Sequence, residues 1–257
     1  MSACMKRRHH LRNLGGSGSL MTKRQLTLPI LEIFGPTFQG EGRAIGQKTM
    51  FVRTGGCDYH CDWCDSAFTW DGSEKPKRMT TDEVIEQLDQ LGTYDYVTLS
   101  GGNPCLLANN MAELVAKLKA RGVTLAIETQ GSRWQTWLKD IDQVTLSPKP
   151  PSSKMTVNFE TLDFIVSQLK KDQITFKVPV FDDADLVFAK MIQKRYQPDV
   201  LYLSAGNPEP HANGNIVEHQ LERLRQLWET VATDPEWQSV RVLPQLHTLL
   251  YDNQRGV

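Results

Sequence analysis

The chain has 257 residues, 29 Lys+Arg against 30 Asp+Glu, a formal net charge of -1, and 40% hydrophobic and 8% aromatic residues. This composition suits a globular chain long enough to bury a full core, and it supplies no long-range field to gather nucleic acid or an anionic membrane. No apolar run approaches the roughly 20 residues needed to cross a bilayer, so neither a membrane nor a direct nucleic-acid partner is expected.

Residues 1–20 stand apart. Lys6, Arg7, Arg8, His9, His10 and Arg12 precede Gly15, Gly16, Ser17, Gly18 and Ser19, and Met21 offers a second start. A secretory signal would need an apolar h-region after the charges, and none follows. The segment reads as a flexible leader or cloning scar, and the expectation is a cytoplasmic protein with a single domain over 21–257.

After residue 26 short β-rich runs alternate with amphipathic segments, the signature of βα units on a mostly parallel sheet. An opening extended segment at Pro29–Phe34 precedes strands predicted at Thr49–Arg53, Tyr96–Ser100, Val123–Thr129, Gln143–Ser147, Ile174–Val180, Val200–Ser204 and Val240–Gln245. Between the first two, Thr81 can cap a helix that sets Val84, Ile85, Leu88 and Leu91 on one face, with Gly92 as its stop. Met111, Leu114, Val115 and Leu118 repeat the pattern before Gly122. Later helices are expected over 158–170, 183–196 and 216–232. Six to seven such units predict an α/β fold, an incomplete TIM-like barrel, with function at the strand C-termini.

Polar or glycine residues follow nearly every predicted strand: Thr54–Cys57, Ser100–Asn103, Glu128–Gly131, Ser147–Lys149, Ser204–Asn207 and Gln245–His247. One such ending is ordinary turn chemistry, whereas six on one rim suggest a ligand site. The first is the most pointed. Cys57, Cys61 and Cys64 lie within eight residues of the loop 55–66, an odd, clustered set that is not a disulfide framework. Three thiolates can hold three corners of a 4Fe-4S cube and leave one iron open. A zinc knuckle completed by His60 or His247 is the competing reading, although no second paired ligand turn follows. Cys105, alone, reads as a buried structural residue.

The pattern Cys57-x3-Cys61-x2-Cys64, with Trp63 before the last cysteine, resembles the radical S-adenosylmethionine superfamily. The resemblance narrows where Glu32–Gly42, Phe51-Val52-Arg53, Gly101-Gly102-Asn103-Pro104, Glu128-Thr129-Gln130-Gly131 and Ser147-Pro148-Lys149 recur together. This set resembles the 7-carboxy-7-deazaguanine synthase family over essentially the whole chain from residue 29. The resemblance implies a lyase that converts 6-carboxy-5,6,7,8-tetrahydropterin into 7-carboxy-7-deazaguanine with loss of ammonia, a step toward queuosine. It also implies a 4Fe-4S cluster, S-adenosylmethionine and Mg²⁺ as cofactors, a homodimer, and a flavodoxin-type electron donor. An activase acting on a protein glycine is the alternative within the superfamily.

Residue by residue, the resemblance assigns Cys57, Cys61 and Cys64 to the cluster and Ser66 to Mg²⁺, since serine supplies a hard oxygen. Phe38, Gln39, Gly40, Arg53 and Ser100 are expected to bind substrate, with the planar fork of Arg53 suited to a carboxylate. Trp63, Gly102, Ser147, Pro148 and Lys149 are expected at S-adenosylmethionine. Glu41, Asn103, Glu128, Ser204, Gln245 and His247 complete the candidates. At Asn103 the superfamily commonly carries glutamate, so an amide replaces the carboxylate that receives the cofactor ammonium.

Overall fold

The computed structural model describes residues 26–210 and 216–257, and the leader predicted over 1–20 lies outside them. Among the described residues nine strands form one sheet: β1 Leu28–Phe38, β2 Lys48–Thr54, β3 Lys77–Met79, β4 Tyr96–Gly101, β5 Thr124–Thr129, β6 Gln143–Leu146, β7 Ile174–Val180, β8 Leu201–Ala205 and β9 Val240–Leu243. Their order is β3-β1-β2-β4-β5-β6-β7-β8-β9. From β2 to β9 every neighbouring pair is parallel, while β1 runs antiparallel to both β2 and β3. The sheet stays open between β3 and β9, a partial TIM-like barrel as the alternation predicts.

The helices are α1 Thr81–Leu91, α2 Asn109–Ala120, α3 Phe159–Gln168, α4 Asp183–Tyr196, α5 Val217–Thr233 and α6 Leu246–Tyr251. In α1 the cap is Thr80, one residue before the predicted Thr81. Glu83 stands at the third helical position from Thr80, and the two close a reciprocal box: the Glu83 N–H donates to Thr80 Oγ1, and the Thr80 N–H donates to Glu83 Oε2. Val84 and Leu88 are fully buried, whereas Leu91, in the last turn, is exposed. All four predicted apolar positions of α2 (Met111, Leu114, Val115 and Leu118) lie in the core, each such side chain contributing about 1.5–3 kcal/mol by leaving water.

Strand alternation places the site. One set of positions, including Val52, Val97, Leu99, Leu125, Ile127, Val144, Leu146, Val178, Leu201 and Leu203, joins the apolar core. The other set is largely polar: Thr49 Oγ1 meets Thr98 Oγ1 at 3.0 Å across β2 and β4, and Arg53 pairs in register with Ser100, Glu128 with Thr145, and Lys177 with Tyr202. Since successive side chains point to opposite faces, this polar set lines the inner, concave side. β1 ends at Phe38 beside Lys48, the start of β2. The chain after it turns across the open bottom, where the Arg43 guanidinium donates to the Asp172 carbonyl just before β7 (2.7 Å).

Candidate active site

The cysteine loop leaves β2 and is sewn down by backbone. The N–H of Gly55 donates to Pro29 O (2.8 Å), that of Gly56 to Thr69 O (2.7 Å), that of Gly102 to Thr54 O (3.2 Å) and that of Asn103 to Gly56 O (2.8 Å). A Cβ on Gly102 would lie 2.2 Å from Gly56 O and 2.9 Å from Cys57 Cβ. The missing side chain is therefore what lets the end of β4 lie directly on the cysteine loop. Asn103, predicted at the cofactor, is instead fully buried and does not line the cavity. Its amide nitrogen donates to Asp58 Oδ1 (2.9 Å) and Ser132 Oγ (3.0 Å), and its carbonyl accepts from Thr129 Oγ1 (2.9 Å) and the Cys105 N–H (3.2 Å). All four hydrogen-bonding positions of the amide are engaged, so its role is to brace the loop. Pro148 likewise lies off the cavity wall.

Cys57, Cys61 and Cys64 face one cavity. Burial pushes all three thiols up, Cys61 to about 11. Yet N–H groups are aimed at the sulfurs: the Tyr59 amide (3.4 Å) and Gln130 Nε2 (3.6 Å) at Cys57, and Trp70 Nε1 (3.5 Å) at Cys64. Such donors suit thiolates whose charge an iron centre shares. Three thiols of one loop on one cavity wall, with N–H donors at the sulfurs, fit a 4Fe-4S cluster, a cube that spreads its thiolates over separate irons. Cys105 is buried in the core, as its isolation in sequence suggests.

Around the thiols the cavity draws on every predicted strand ending: Ser100 and Gly102 at the end of β4, Glu128 and Gln130 at β5, Ser147 and Lys149 after β6, Ser204 and Asn207 at β8, Gln245 and His247 after β9. Lys149 Nζ donates to Ser147 Oγ (3.3 Å) and stands 5.8 Å from the ring centre of Trp63. Trp63 is fixed by stacking on Phe181 (4.5 Å) and by its indole N–H on Ser152 Oγ (2.9 Å). Ser66 accepts from Arg53 Nη1 (3.2 Å) and donates to Asp65 Oδ1 (3.0 Å).

The floor is ionic. Lys177, in the middle of β7 and 7% exposed, is bonded to Glu41 and stands 3.3 Å from Glu128. Gln245 Nε2 donates to the other Glu41 oxygen (2.6 Å). Burial of the Glu41 carboxyl opposes its ionisation, but Lys177, His247 and these hydrogen bonds prevail and pull it down to about 2. Burial also opposes the Lys177 charge, and its two carboxylates outweigh that, raising it above the ordinary lysine range. Gln39 folds its side-chain oxygen back onto the Gly40 N–H (2.8 Å). Gly40 is pressed against His247, whose Nδ1 would lie 2.3 Å from a Cβ there. Phe38, 60% exposed, sits at the edge of the cavity.

Sequence reasoning missed several lining residues. Lys177 carried a usable signal, a lone charge within the apolar run Ile174–Val180. Arg255 belongs to the closing Arg-Gly-Val, a family likeness that assigns it no role: the chain beyond α6 returns over the cavity, and its guanidinium bonds Glu32 and Glu74 and stacks 3.4 Å from the ring centre of Phe68.

Residues 51–180 match the radical SAM superfamily. The 7-carboxy-7-deazaguanine synthase of Bacillus subtilis is 50% identical over 240 residues, covering 90% of this chain and 98% of that protein. The Bacillus cereus protein of the same name is 47% identical, with 90% and 99% covered. The crystal structure of QueE from Escherichia coli superposes with a TM-score of 0.62 at 23% identity over 86% of this chain and 95% of that one, a likeness of fold. With three clustered thiols on the rim of an open parallel barrel and half its sequence shared with such a relative over nearly full length, the chain belongs to the 7-carboxy-7-deazaguanine synthase family of radical SAM enzymes.

Proposed function

We propose that this chain converts 6-carboxy-5,6,7,8-tetrahydropterin into 7-carboxy-7-deazaguanine with release of ammonia, at the cavity bounded by the cysteine loop and the ionic floor. The observation that carries the reading is that the three thiols, six strand endings and the Glu41–Lys177–Glu128 group face one space. Cys57, Cys61 and Cys64 would hold a 4Fe-4S cluster. A cluster so held, with S-adenosylmethionine, supplies reductive cleavage of a sulfonium and abstraction of a substrate hydrogen.

The chain's own residues bind, orient and shield. Lys149 and Ser147 beside Trp63 offer an ammonium and a hydroxyl for the cofactor carboxylate and ribose, and Gly102 brings backbone to the same wall. Arg53 and Ser100, neighbours in register, present a guanidinium and a hydroxyl to a substrate carboxylate. Gln39, Gly40 and Phe38 approach the pterin from the turn after β1. Glu41, kept anionic by Lys177, and Glu128 are acceptors matched to the N–H groups of a pterin edge, with Gln245, His247 and Ser204 beside them. Ser66 is the proposed protein oxygen for Mg²⁺, an ion that keeps several waters and needs only one or two protein oxygens; such binding has to displace the Arg53 contact. A homodimer, a flavodoxin-type donor and the cytoplasm belong to the same proposal, and among the described residues no helix is long and apolar enough to cross a membrane.

The test is anaerobic reconstitution with iron and sulfide, then incubation with S-adenosylmethionine, dithionite and the carboxypterin. Deazaguanine product and ammonia in equal amounts are expected, formed only when S-adenosylmethionine is present, and Cys61→Ala should lose cluster absorbance and turnover together. Deoxyadenosine formed only when a glycine-containing protein is added would instead favour the activase reading.

A further inference from the structure

Two guanidiniums share one carboxylate at the mouth of the cavity. Glu32, on β1, faces Arg53 of β2 across the antiparallel pair, and Arg53 Nε lies 3.1 Å from Glu32 Oε2, with both side chains largely withdrawn from water (16% and 18% exposed). A fully engaged Arg–Glu pair closes as a two-pronged fork, and such a fork would spend the charge of Arg53 inside the protein. The contact is not a fork. Neither Arg53 Nε nor Glu32 Oε2 is aligned in a hydrogen bond, and the other Glu32 oxygen is taken by Arg255, which donates to Oε1 from Nε (3.0 Å) and from Nη2. Arg255 is held on its far side by Glu74. Phe68 lies beneath both cations, its ring centre 3.4 Å from Arg255 and 5.5 Å from Arg53.

We infer that Arg255 is a positioning residue for substrate binding: by occupying Glu32 from the C-terminal segment, it keeps Arg53 from being neutralised and leaves its fork available to the carboxylate of the ligand. The inference rests on the proposed role of Arg53 as the carboxylate clamp. Its logic is geometric. Glu74 balances Arg255, so the four charges cancel overall, but Arg255 engages Glu32 Oε1 from two nitrogens and leaves Glu32 no second oxygen to close a fork on Arg53, whose Nη1 meets the neutral hydroxyl of Ser66. Loss of Arg255 should let Glu32 rotate onto Arg53 and quench it.

The experiment is anaerobic calorimetry on the reconstituted holoenzyme with S-adenosylmethionine, kept oxidised so that nothing turns over. Each variant is titrated with the carboxypterin and with the tetrahydropterin lacking the carboxylate. Arg255→Met, which keeps an apolar stem against Phe68, should weaken the carboxypterin about tenfold and leave the decarboxylated ligand within twofold. Glu32→Gln combined with Arg255→Met should recover to within about threefold of the parent, because a neutral amide no longer quenches Arg53. Equal weakening of both ligands, or a double variant as weak as Arg255→Met alone, overturns the inference. Arg53→Met separates the two readings. If it abolishes the preference for the carboxylated ligand while Arg255→Met does not, Arg53 stands as the clamp and only the role of Arg255 falls. If Arg53→Met leaves the preference intact, the clamp itself falls and takes the inference with it.

Discussion

Replacing Gly102 with alanine adds one methyl group where the end of β4 lies on the cysteine loop. The new carbon would stand 2.2 Å from Gly56 O, 2.6 Å from Gly56 C and 2.9 Å from Cys57 Cβ. These neighbours are backbone and the root of a cluster ligand, so no side-chain rotation relieves the overlap. Reaching ordinary contact requires the two segments to part by about 1 Å, against the hydrogen bonds of Gly102 N to Thr54 O and Asn103 N to Gly56 O. Overpacking of this kind costs about 1–3 kcal/mol, and each kcal/mol lowers Tm by about 2–4 °C in a chain of this size. The functional effect should exceed the stability effect, because a displacement near 1 Å at a reacting centre can cost on the order of a hundredfold. The assay is paired: thermal denaturation of the apoprotein, then iron, sulfide and visible absorbance after reconstitution. A Gly102→Ala protein with parental Tm, full iron and full turnover would refute the account of this glycine as the hinge between strand end and cluster loop.

The ionic floor makes two further predictions. Because the Glu41 carboxyl is held down at about 2 against an ordinary 4.5, its contribution to stability is fully present above the ordinary value and is lost as pH falls through the folded one. Urea unfolding should therefore steepen in its pH dependence between about 4.5 and 2, and Glu41→Gln should flatten that window; identical slopes in the two proteins would contradict it. Lys177→Met leaves the largely buried Glu41 and the partly exposed Glu128 without their shared cation. A loss of about 3–5 kcal/mol in urea denaturation is expected, recovered in part by adding Glu41→Gln, and an unchanged midpoint would show that the floor does not depend on the ammonium.

Much of the architecture was legible before any coordinate. The predicted strand Ile174–Val180 and the predicted helix 183–196 coincide with β7 and α4, because period-2 and period-3.6 patterns are each written locally in side-chain identity. The short elements were not. β3, three residues long with one buried side chain, and α6, six residues long, carry too little pattern to be seen, and they form because β1 offers β3 a partner and α5 and the Gly40 carbonyl offer partners to α6. β1 also runs four residues beyond its predicted end, through the glycine and proline at 35 and 36, which local rules read as a stop.

The chemistry divides along the same line. Three thiols at close spacing mark a metal site from sequence alone, since a short loop must deliver them to a common place, with a cluster and a zinc knuckle both open until the family resemblance is added, and the polar residues that follow the strands mark the rim. Which polar residue faces ligand and which serves the scaffold was decided by tertiary contact. Asn103 and Lys149 look equally functional in the chain, yet one is consumed by Asp58, Ser132, Thr129 and the Cys105 amide while the other faces the cavity. Lys177 and Glu41 are 136 residues apart, and Arg255 and Glu32 are 223 apart. Pairings over such separations arise only when the curved sheet and the returning C-terminal segment bring opposite charges together, Lys177 and Glu41 largely out of water, where each needs the other, and Arg255 at the partly exposed mouth.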